Sequence, residues 1–166
     1  MINVSRKNAV LTIEIDRPHK KNSLVPQMYL EMAKAIESAS DAEIRVVLIQ
    51  GSQSCFTAGN DIADFTTRGD DQEVNETFRF MMALVKCPVP VVAKVEGLAI
   101  GIGTTLLLHC DFVYCADNAK FAMPFINLGL VPEYASSYIL PRISGNLKAA
   151  ELLLLGETFS AQKAVE

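Results

Sequence analysis

Residues 89–111, VPVVAKVEGLAIGIGTTLLLHCD, predict a strand, a glycine turn and a buried helix in that order. The β-branched run that ends at Val95 is typical of a strand, and the apolar run from about Thr104 is typical of a helix. Gly101 and Gly103 let the backbone adopt a positive φ and approach a ligand, and the first N–H groups of a helix have no partner inside it. Such a turn can hold an anion, or an oxygen that becomes negative during a reaction. This stretch alone is equally compatible with a close-packed turn that binds nothing.

Composition and charge exclude several classes of protein. The chain has 166 residues, half of them hydrophobic, which is enough for one domain with a core. The net charge of -4 offers no basic face for nucleic acid, and no apolar run reaches the roughly 18 residues that span a membrane. The N-terminus also lacks the layout of a signal peptide. We therefore expect a cytoplasmic protein that binds neither nucleic acid nor a membrane.

The sequence shows no pattern for a metal or a nucleotide cofactor. The four cysteines form no CxxC pair, so we expect reduced thiols and no metal site. The glycines of the decisive stretch do not form a dinucleotide-binding motif, because Leu106 stands where the third glycine would be. No Walker lysine follows them either.

Strands and helices alternate in the predicted order, which favours an α/β domain with parallel strands. Residues 45–50 and 112–115 predict buried strands. The first of these leads into FTAGNDIADF (56–65), a second turn that contains a glycine. Two such turns can each aim one backbone N–H at a common point, and we assign these donors to Ala58 and Ile102.

The chain contains four motifs in this order: DRPHKKNSL (16–24), FTAGNDIADF (56–65), EGLAIGIGTTLLLHCDFVY (96–114) and AKFAMPFINLGLVPE (119–133). Together they resemble the motifs of the enoyl-CoA hydratase/isomerase family, the crotonase superfamily. They imply an α/β fold built as a crotonase-like spiral of ββα repeats, which binds acyl-CoA and usually assembles as trimers or pairs of trimers. Coenzyme A is then part of the substrate, and no separate cofactor is expected. The resemblance also implies that Ala58 and Ile102 donate N–H groups to a thioester enolate. The resemblance extends from about residue 10 to 165.

The sequence departs from the hydratases of this family at two positions. The resemblance places the two carboxylates that a hydratase needs around its water at Thr105 and Phe125, and neither residue is acidic. The segment that ends in Glu133 instead resembles the Δ3-Δ2-enoyl-CoA isomerases, whose single catalytic glutamate aligns with Glu133. One carboxylate is enough to take a proton from C2 of a 3-enoyl thioester and return it to C4.

Glu133 has two interpretations. Burial among Leu130, Val131 and Tyr134 would raise its pKa and favour its acid form as the returning proton donor. The structural alternative is that Glu133 caps a helix predicted to start at Tyr134.

The resemblance also places a CoA-binding region. The loop at Lys20 and Asn22 is expected beside the CoA moiety, with a solvated charge as the alternative for Lys20. The family lines the adenine and pantetheine site mainly with backbone, which here assigns Ala58, Asp61 and Ile62.

Members of the family commonly continue past the position of Glu166 into a helical region that covers the active site and builds the trimer. By this comparison residues 1–166 form a single crotonase-like core domain that lacks most of that region. A homotrimer or hexamer is expected where those helices are present. Two alternatives stay open: hydration or another reaction on the same scaffold, and a non-catalytic protein that binds acyl-CoA.

Overall fold

The fold is that of a computed structural model. It describes the backbone of residues 1–65 and 70–166, and the side chains of residues 1–63 and 76–166. Strands and helices alternate over this part of the chain, and none of its helices is long and apolar enough to cross a membrane. The strands are β1 (Ile2–Lys7), β2 (Val10–Ile15), β3 (Val46–Gly51), β4 (Val91–Val95), β5 (Leu98–Ile100), β6 (Phe112–Cys115), β7 (Lys120–Ala122) and β8 (Phe159–Ser160). The α-helices are α1 (Pro26–Glu37), α2 (Ile62–Phe65), α3 (Asp70–Val85), α4 (Ile102–Thr105), α5 (Ser136–Ser144), α6 (Asn146–Ala150) and α7 (Ala161–Val165).

The main sheet starts with a hairpin and continues as a parallel sheet. Asn8 and Ala9, in the turn between β1 and β2, have φ angles of 51° and 63°, which suit a two-residue type I′ turn. From β2 onward the strands are parallel, in the order β1-β2-β3-β4-β6. Inward residues such as Ile13 and Ile49 pack in one core with the apolar face of α1. The α/β class with mostly parallel strands is thus confirmed.

Strand β6 is exposed, although the sequence predicts a buried strand there. The side chain of Phe112 is 56% exposed and that of Tyr114 is 65% exposed. This strand lies at the edge of the main sheet and pairs with β4 alone. Its apolar residues therefore face solvent in the part of the chain that the structure describes.

A bend at Gly97 divides the strand of the decisive stretch between two sheets. Residues before the bend form β4 in the main sheet, and residues after it form β5 in a second sheet of order β5-β7-β8. Strand β5 also meets the segment that follows β3, through an isolated parallel bridge between Thr57 and Ala99. This bridge places the two glycine turns next to each other.

Helix α4 starts at Ile102, two residues before the predicted start near Thr104. A 3₁₀ turn over Leu106–His109 continues it, and every residue from Ile102 to Leu107 is buried. Gly101 separates β5 from the helix with a φ of 58°, a conformation that glycine adopts without strain. The helix therefore begins directly after the strand.

Asn22 connects the loop after β2 to the loop after β3. Its side chain is completely buried, and Oδ1 accepts a hydrogen bond from the N–H of Arg17 at 2.8 Å. Nδ2 donates to the carbonyl oxygens of Ser52 and Cys55 at 3.1 and 2.6 Å. One side chain thus satisfies three backbone groups in two loops.

Replacing Asn22 by alanine is expected to lower the free energy of unfolding by about 3 kcal/mol, because three backbone groups lose a partner inside the protein. Urea denaturation followed by circular dichroism measures the change. Asn3→Ala is the matched control, since Asn3 bonds Glu14 and Asp16 through an exposed side chain. The control should change stability by less than about 0.5 kcal/mol. Equal effects of the two substitutions would contradict the role of Asn22.

Candidate active site

Two glycine turns contact each other where the chain leaves β3 and β5. The N–H of Thr57 donates to the carbonyl of Leu98 at 2.8 Å, and the N–H of Ile100 donates to the carbonyl of Thr57 at 3.1 Å. A Cβ atom on Gly59 would lie 2.6 Å from the carbonyl oxygen of Ile100. A Cβ atom on Gly103 would lie 2.6 Å from the methyl group of Thr57. The two turns therefore approach each other as closely as glycine permits.

The first turn leaves the N–H of Asn60 unpaired. Ala58 donates its N–H to the carbonyl of Lys21 at 3.0 Å, and Gly59 and Asp61 also donate theirs within the protein. The N–H of Asn60 has no acceptor among the residues that the structure describes. The assignment of Ala58 as a donor to a ligand is therefore wrong in this structure, because the carbonyl of Lys21 already accepts that hydrogen bond.

The second turn leaves the N–H of Ile102 unpaired, which is compatible with its assignment as a donor. Gly101 donates its N–H to the carbonyl of Ala122 at 2.9 Å and so fixes the turn against β7. Ile102 is the first residue of α4, so its N–H has no acceptor within the helix, and none lies elsewhere in the described chain. Each unpaired N–H directly follows a glycine of positive φ, which is 87° at Gly59. The sequence signal for the donor of the first turn is therefore the glycine directly before it, which points to Asn60 rather than to Ala58.

Tyr29 anchors the residue that carries the first unpaired N–H. Its hydroxyl donates a hydrogen bond to Oδ1 of Asn60. Tyr29 is buried in α1, and its ring packs against that of Phe80 with centroids 5.5 Å apart. The position of Asn60 is therefore tied to the helical layer as well as to its own turn.

Glu133 combines a buried carboxyl oxygen with a raised pKa. Its Oε1 is out of contact with solvent and has no hydrogen-bond partner in the described part of the chain. Burial raises the pKa of Glu133 from 4.5 to about 7, in the predicted direction. Leu130 and Val131, which were expected to bury it, are 50% and 83% exposed, so they do not supply this burial.

The carboxylate of Glu133 does not cap the helix that follows. Helix α5 begins at Ser136, whose N–H and hydroxyl donate to the backbone carbonyl of Glu133 at 3.0 and 2.7 Å. Tyr134 and Ala135 have left-handed backbones, with φ of 53° and 54°, so the helix starts after the predicted Tyr134. The carboxyl group is thus left for another partner.

The segment after Glu133 is fixed to the helix that begins at Ile102. The ring of Tyr134 stacks on that of His109 with centroids 3.8 Å apart, and Nε2 of His109 lies 2.8 Å from the carbonyl oxygen of Tyr134. The hydroxyl of Tyr134 donates to the carbonyl of Met81 at 2.8 Å. His109 ends the 3₁₀ turn that continues α4. One stacked pair therefore joins the segment of the unpaired N–H to the segment of the unpaired carboxyl oxygen.

The two positions at which the resemblance places hydratase carboxylates are buried and uncharged. Thr105 is fully buried and its hydroxyl has no partner within the described residues, while Phe125 is 6% exposed. Neither side chain can act as a general base at neutral pH. Oε2 of Glu76, in α3, is a further buried oxygen without a partner in the described chain, and the sequence patterns gave no reason to single it out.

The residues expected to bind CoA divide into internal and exposed ones. Asn22 uses its side chain within the protein and cannot offer it to a ligand, so that prediction is corrected. The carboxylate of Asp61 pairs with Arg17 at 2.6 Å, and this guanidinium holds the pKa of Asp61 below its usual range. Lys20 and Ile62 are exposed, and their contacts with CoA stay predictions.

Comparison with known proteins identifies the family. The model of the enoyl-CoA hydratase/isomerase family matches residues 5–166. Among solved structures, Pseudomonas aeruginosa OdaA is 52% identical, with a TM-score of 0.95, over 99% of this chain and 67% of that one. Enoyl-CoA delta isomerase 2 of Rattus norvegicus is 36% identical over 97% of this chain and 43% of its own length. The 2,3-dehydroadipyl-CoA hydratase of Escherichia coli (strain K12) is 32% identical over 97% of this chain and 64% of its own length.

These matches identify the family of the chain but not the reaction that it catalyses. The chain spans less than half the length of the rat isomerase and about two thirds of the other two proteins. The relatives include both an isomerase and a hydratase, so the comparison does not choose between the two activities. The crotonase-type α/β fold expected from the four motifs is confirmed, and the chain belongs to the enoyl-CoA hydratase/isomerase family.

Proposed function

We propose that the two glycine turns form an oxyanion hole for the thioester carbonyl of an acyl-CoA. The N–H groups of Asn60 and Ile102 support this proposal, because both lack an acceptor in the described part of the chain and their turns are in backbone contact. When a proton leaves C2 of a thioester, negative charge collects on the carbonyl oxygen. Two N–H donors held in place before the reaction stabilise that charge without reorganisation.

Glu133 moves the proton in this mechanism. Its carboxylate takes a proton from C2 of a 3-enoyl thioester, and the electrons of the C–H bond move toward the thioester oxygen. The carboxylic acid then returns the proton to C4, and the double bond moves from C3–C4 to C2–C3. The observation that carries this assignment is the buried, unpaired Oε1 together with a pKa raised to about 7. Near neutral pH both the base and the acid form are populated.

Isomerisation is favoured over hydration because it needs one carboxyl group. A hydratase of this family positions its water between two carboxylates, and Thr105 and Phe125 stand at those positions. The substrate in this proposal is therefore a 3-enoyl-CoA.

The exposed ammonium of Lys20 is proposed to contact a phosphate of CoA. Lys20 lies in the loop after β2, and the carbonyl of Lys21 in the same loop accepts a hydrogen bond from the first turn.

Ile102→Pro tests the second donor, because proline removes the N–H yet is accepted at the first position of a helix. We expect kcat on 3-hexenoyl-CoA to fall by about 10²-fold or more. Ile102→Ala is the matched control, since it removes a similar apolar contact but keeps the N–H. Circular dichroism verifies that both variants are folded. Equal losses in the two variants would show that packing, rather than the N–H, matters at this position.

Glu133→Gln tests the proton shuttle while keeping the shape of the side chain. The rate of 3-hexenoyl-CoA isomerisation should fall by about 10²-fold or more. Glu157→Gln alters an exposed carboxylate and should leave the rate unchanged. A rate within a few-fold of the wild type for Glu133→Gln would rule out this mechanism.

Assays of the wild type distinguish the two alternative functions. Formation of 3-hydroxybutyryl-CoA from crotonyl-CoA would favour hydration, and CoA binding without turnover would favour a binding protein.

The raised pKa of Glu133 also predicts how stability depends on pH. Between about pH 4.5 and 7 the folded state holds a proton that the unfolded state has released, so this group's contribution to stability falls as pH rises and levels off above about 7. Glu133→Gln lacks this titration. We therefore expect the variant to exceed the wild type in stability at pH 8 by up to about 3 kcal/mol, and by much less at pH 5. Thermal unfolding of both proteins at the two pH values measures the difference, and a constant difference would contradict the raised pKa.

A further inference from the structure

The unpaired N–H of Asn60 belongs to a peptide group whose carbonyl is already held. The carbonyl of Gly59, in the same trans peptide group, accepts the N–H of Leu24 at 2.8 Å. Because the N–H and the carbonyl of a trans peptide point in opposite directions, the N–H of Asn60 points away from Leu24. Strand β5 lies on the other side of this segment, where Thr57 pairs with it. The donor is therefore directed toward the side of the second turn.

The second turn holds its own donor by a different device. The carbonyl of Gly101 shares a peptide group with the N–H of Ile102. It accepts the N–H groups of Thr104 and Thr105, at 2.9 and 3.0 Å. These are the first hydrogen bonds of α4, so the helix itself keeps this peptide group in place. No helix begins directly after Gly59 in the same way, because α2 starts three residues later.

The peptide group before Asn60 can rotate unless the residues on both sides of it are held. Gly59 has a φ of 87° and no Cβ atom, so its own conformational preference restrains the following peptide group very little. On the far side, the N–H of Asp61 donates to the carbonyl of Leu24 at 2.9 Å. The hydroxyl of Tyr29 donates to Oδ1 of Asn60. The hydrogen bond from Tyr29 thus holds the residue that carries the donor.

Tyr29 gives this hydrogen bond a fixed origin. Its side chain is buried in α1, and the ring packs against that of Phe80 in α3, with centroids 5.5 Å apart and the ring planes at 44°. A close-packed aromatic ring has little freedom to move, so its hydroxyl is held at one place. A phenylalanine would fill nearly the same space without the hydroxyl. The hydroxyl group can therefore be removed with little change in packing.

We propose that Tyr29 is a positioning residue of the oxyanion hole, whose hydroxyl acts through the side chain of Asn60 to keep the backbone N–H of Asn60 aimed at the thioester oxygen. This inference rests on the proposed function of the two glycine turns. Tyr29 does not act on the reacting atoms itself. Loss of its hydroxyl weakens the stabilisation of the enolate-like transition state more than it weakens substrate binding.

A double-mutant cycle tests this role. Tyr29→Phe and Asn60→Ala remove the same hydrogen bond from its two ends, and both keep the backbone N–H. We expect each to lower kcat on 3-hexenoyl-CoA by about tenfold, with KM within about twofold of the wild type. The double variant should lose no more than either single variant, because the bond is already absent. Tyr114→Phe, which alters an exposed tyrosine of β6, is the matched control and should leave kcat unchanged.

Infrared spectroscopy of a bound thioester that cannot isomerise tests the donor without turnover. The probe is hexanoyl-CoA labelled with ¹³C at C1, because hydrogen bonds to the thioester oxygen lower the stretching frequency of its C=O bond. We expect binding to the wild type to lower this frequency, and binding to Tyr29→Phe to lower it by a smaller amount. Circular dichroism verifies that the variants are folded. If Tyr29→Phe does not fold, Asn60→Ala provides the same comparison.

The outcomes separate this inference from the proposed isomerisation. If the wild type isomerises 3-hexenoyl-CoA, an unchanged kcat in Tyr29→Phe overturns the role of Tyr29, and so do losses that multiply in the double variant. If it does not, equal frequency shifts in the wild type and Tyr29→Phe overturn that role, and a smaller shift in the variant supports it. A bound wild-type complex with the frequency of the free thioester overturns the oxyanion hole and the role of Tyr29 together.

Discussion

The close approach of Gly59 to the carbonyl of Ile100 is the contact on which the site depends. Any side chain at Gly59 would collide with that carbonyl, so the two turns can lie side by side with glycine alone at this position. In this arrangement Asn60, after Gly59, and Ile102, after Gly101, each carry an N–H that has no acceptor among the described residues. The two donors come from segments far apart in the chain, and the parallel bridge between Thr57 and Ala99 keeps them in register.

The same contact sets the position of the acid. Helix α4 begins at the second turn, and its 3₁₀ extension ends at His109, which stacks on Tyr134. Because Tyr134 follows Glu133 directly, the carboxyl group takes its position from the helix that starts at Ile102. The stacked pair of His109 and Tyr134 thus connects the segment of the donor Ile102 to the segment of the base Glu133.

The sequence predicts those features of the fold that depend on residues close together in the chain. The order of strand, glycine turn and helix follows from residues 89–111 alone. The helix begins at Ile102, two residues earlier than the sequence predicts, and this start leaves the N–H of Ile102 without a partner in the described chain. The choice between Ala58 and Asn60 is not local, because the carbonyl of Lys21, in a distant loop, accepts the N–H of Ala58. The family motif located the turn, but its donor depends on that long-range hydrogen bond.

The sequence shows which side chains are polar and which are apolar, but it does not always predict whether they are buried or exposed. Asn22 is polar and lies in the loop expected beside CoA, yet its hydrogen bonds are all internal. Strand β6 is apolar yet exposed, because an edge strand has a neighbour on one side only. The pKa of Glu133 is raised as predicted, although the apolar residues just before it point to solvent. Each difference arises because burial is a property of the assembled chain.

The distribution of unpaired groups describes the ligand better than the sequence motifs do. Most polar groups in these turns are satisfied by the protein, including the hydroxyl groups of Thr57 and Thr104. Among the described residues of the site, the groups without a partner are the N–H groups of Asn60 and Ile102, one carboxyl oxygen of Glu133 and the hydroxyl of Thr105. Donors suited to one oxygen, together with a carboxyl group whose pKa lies near neutral pH, complement a thioester that loses a proton from C2.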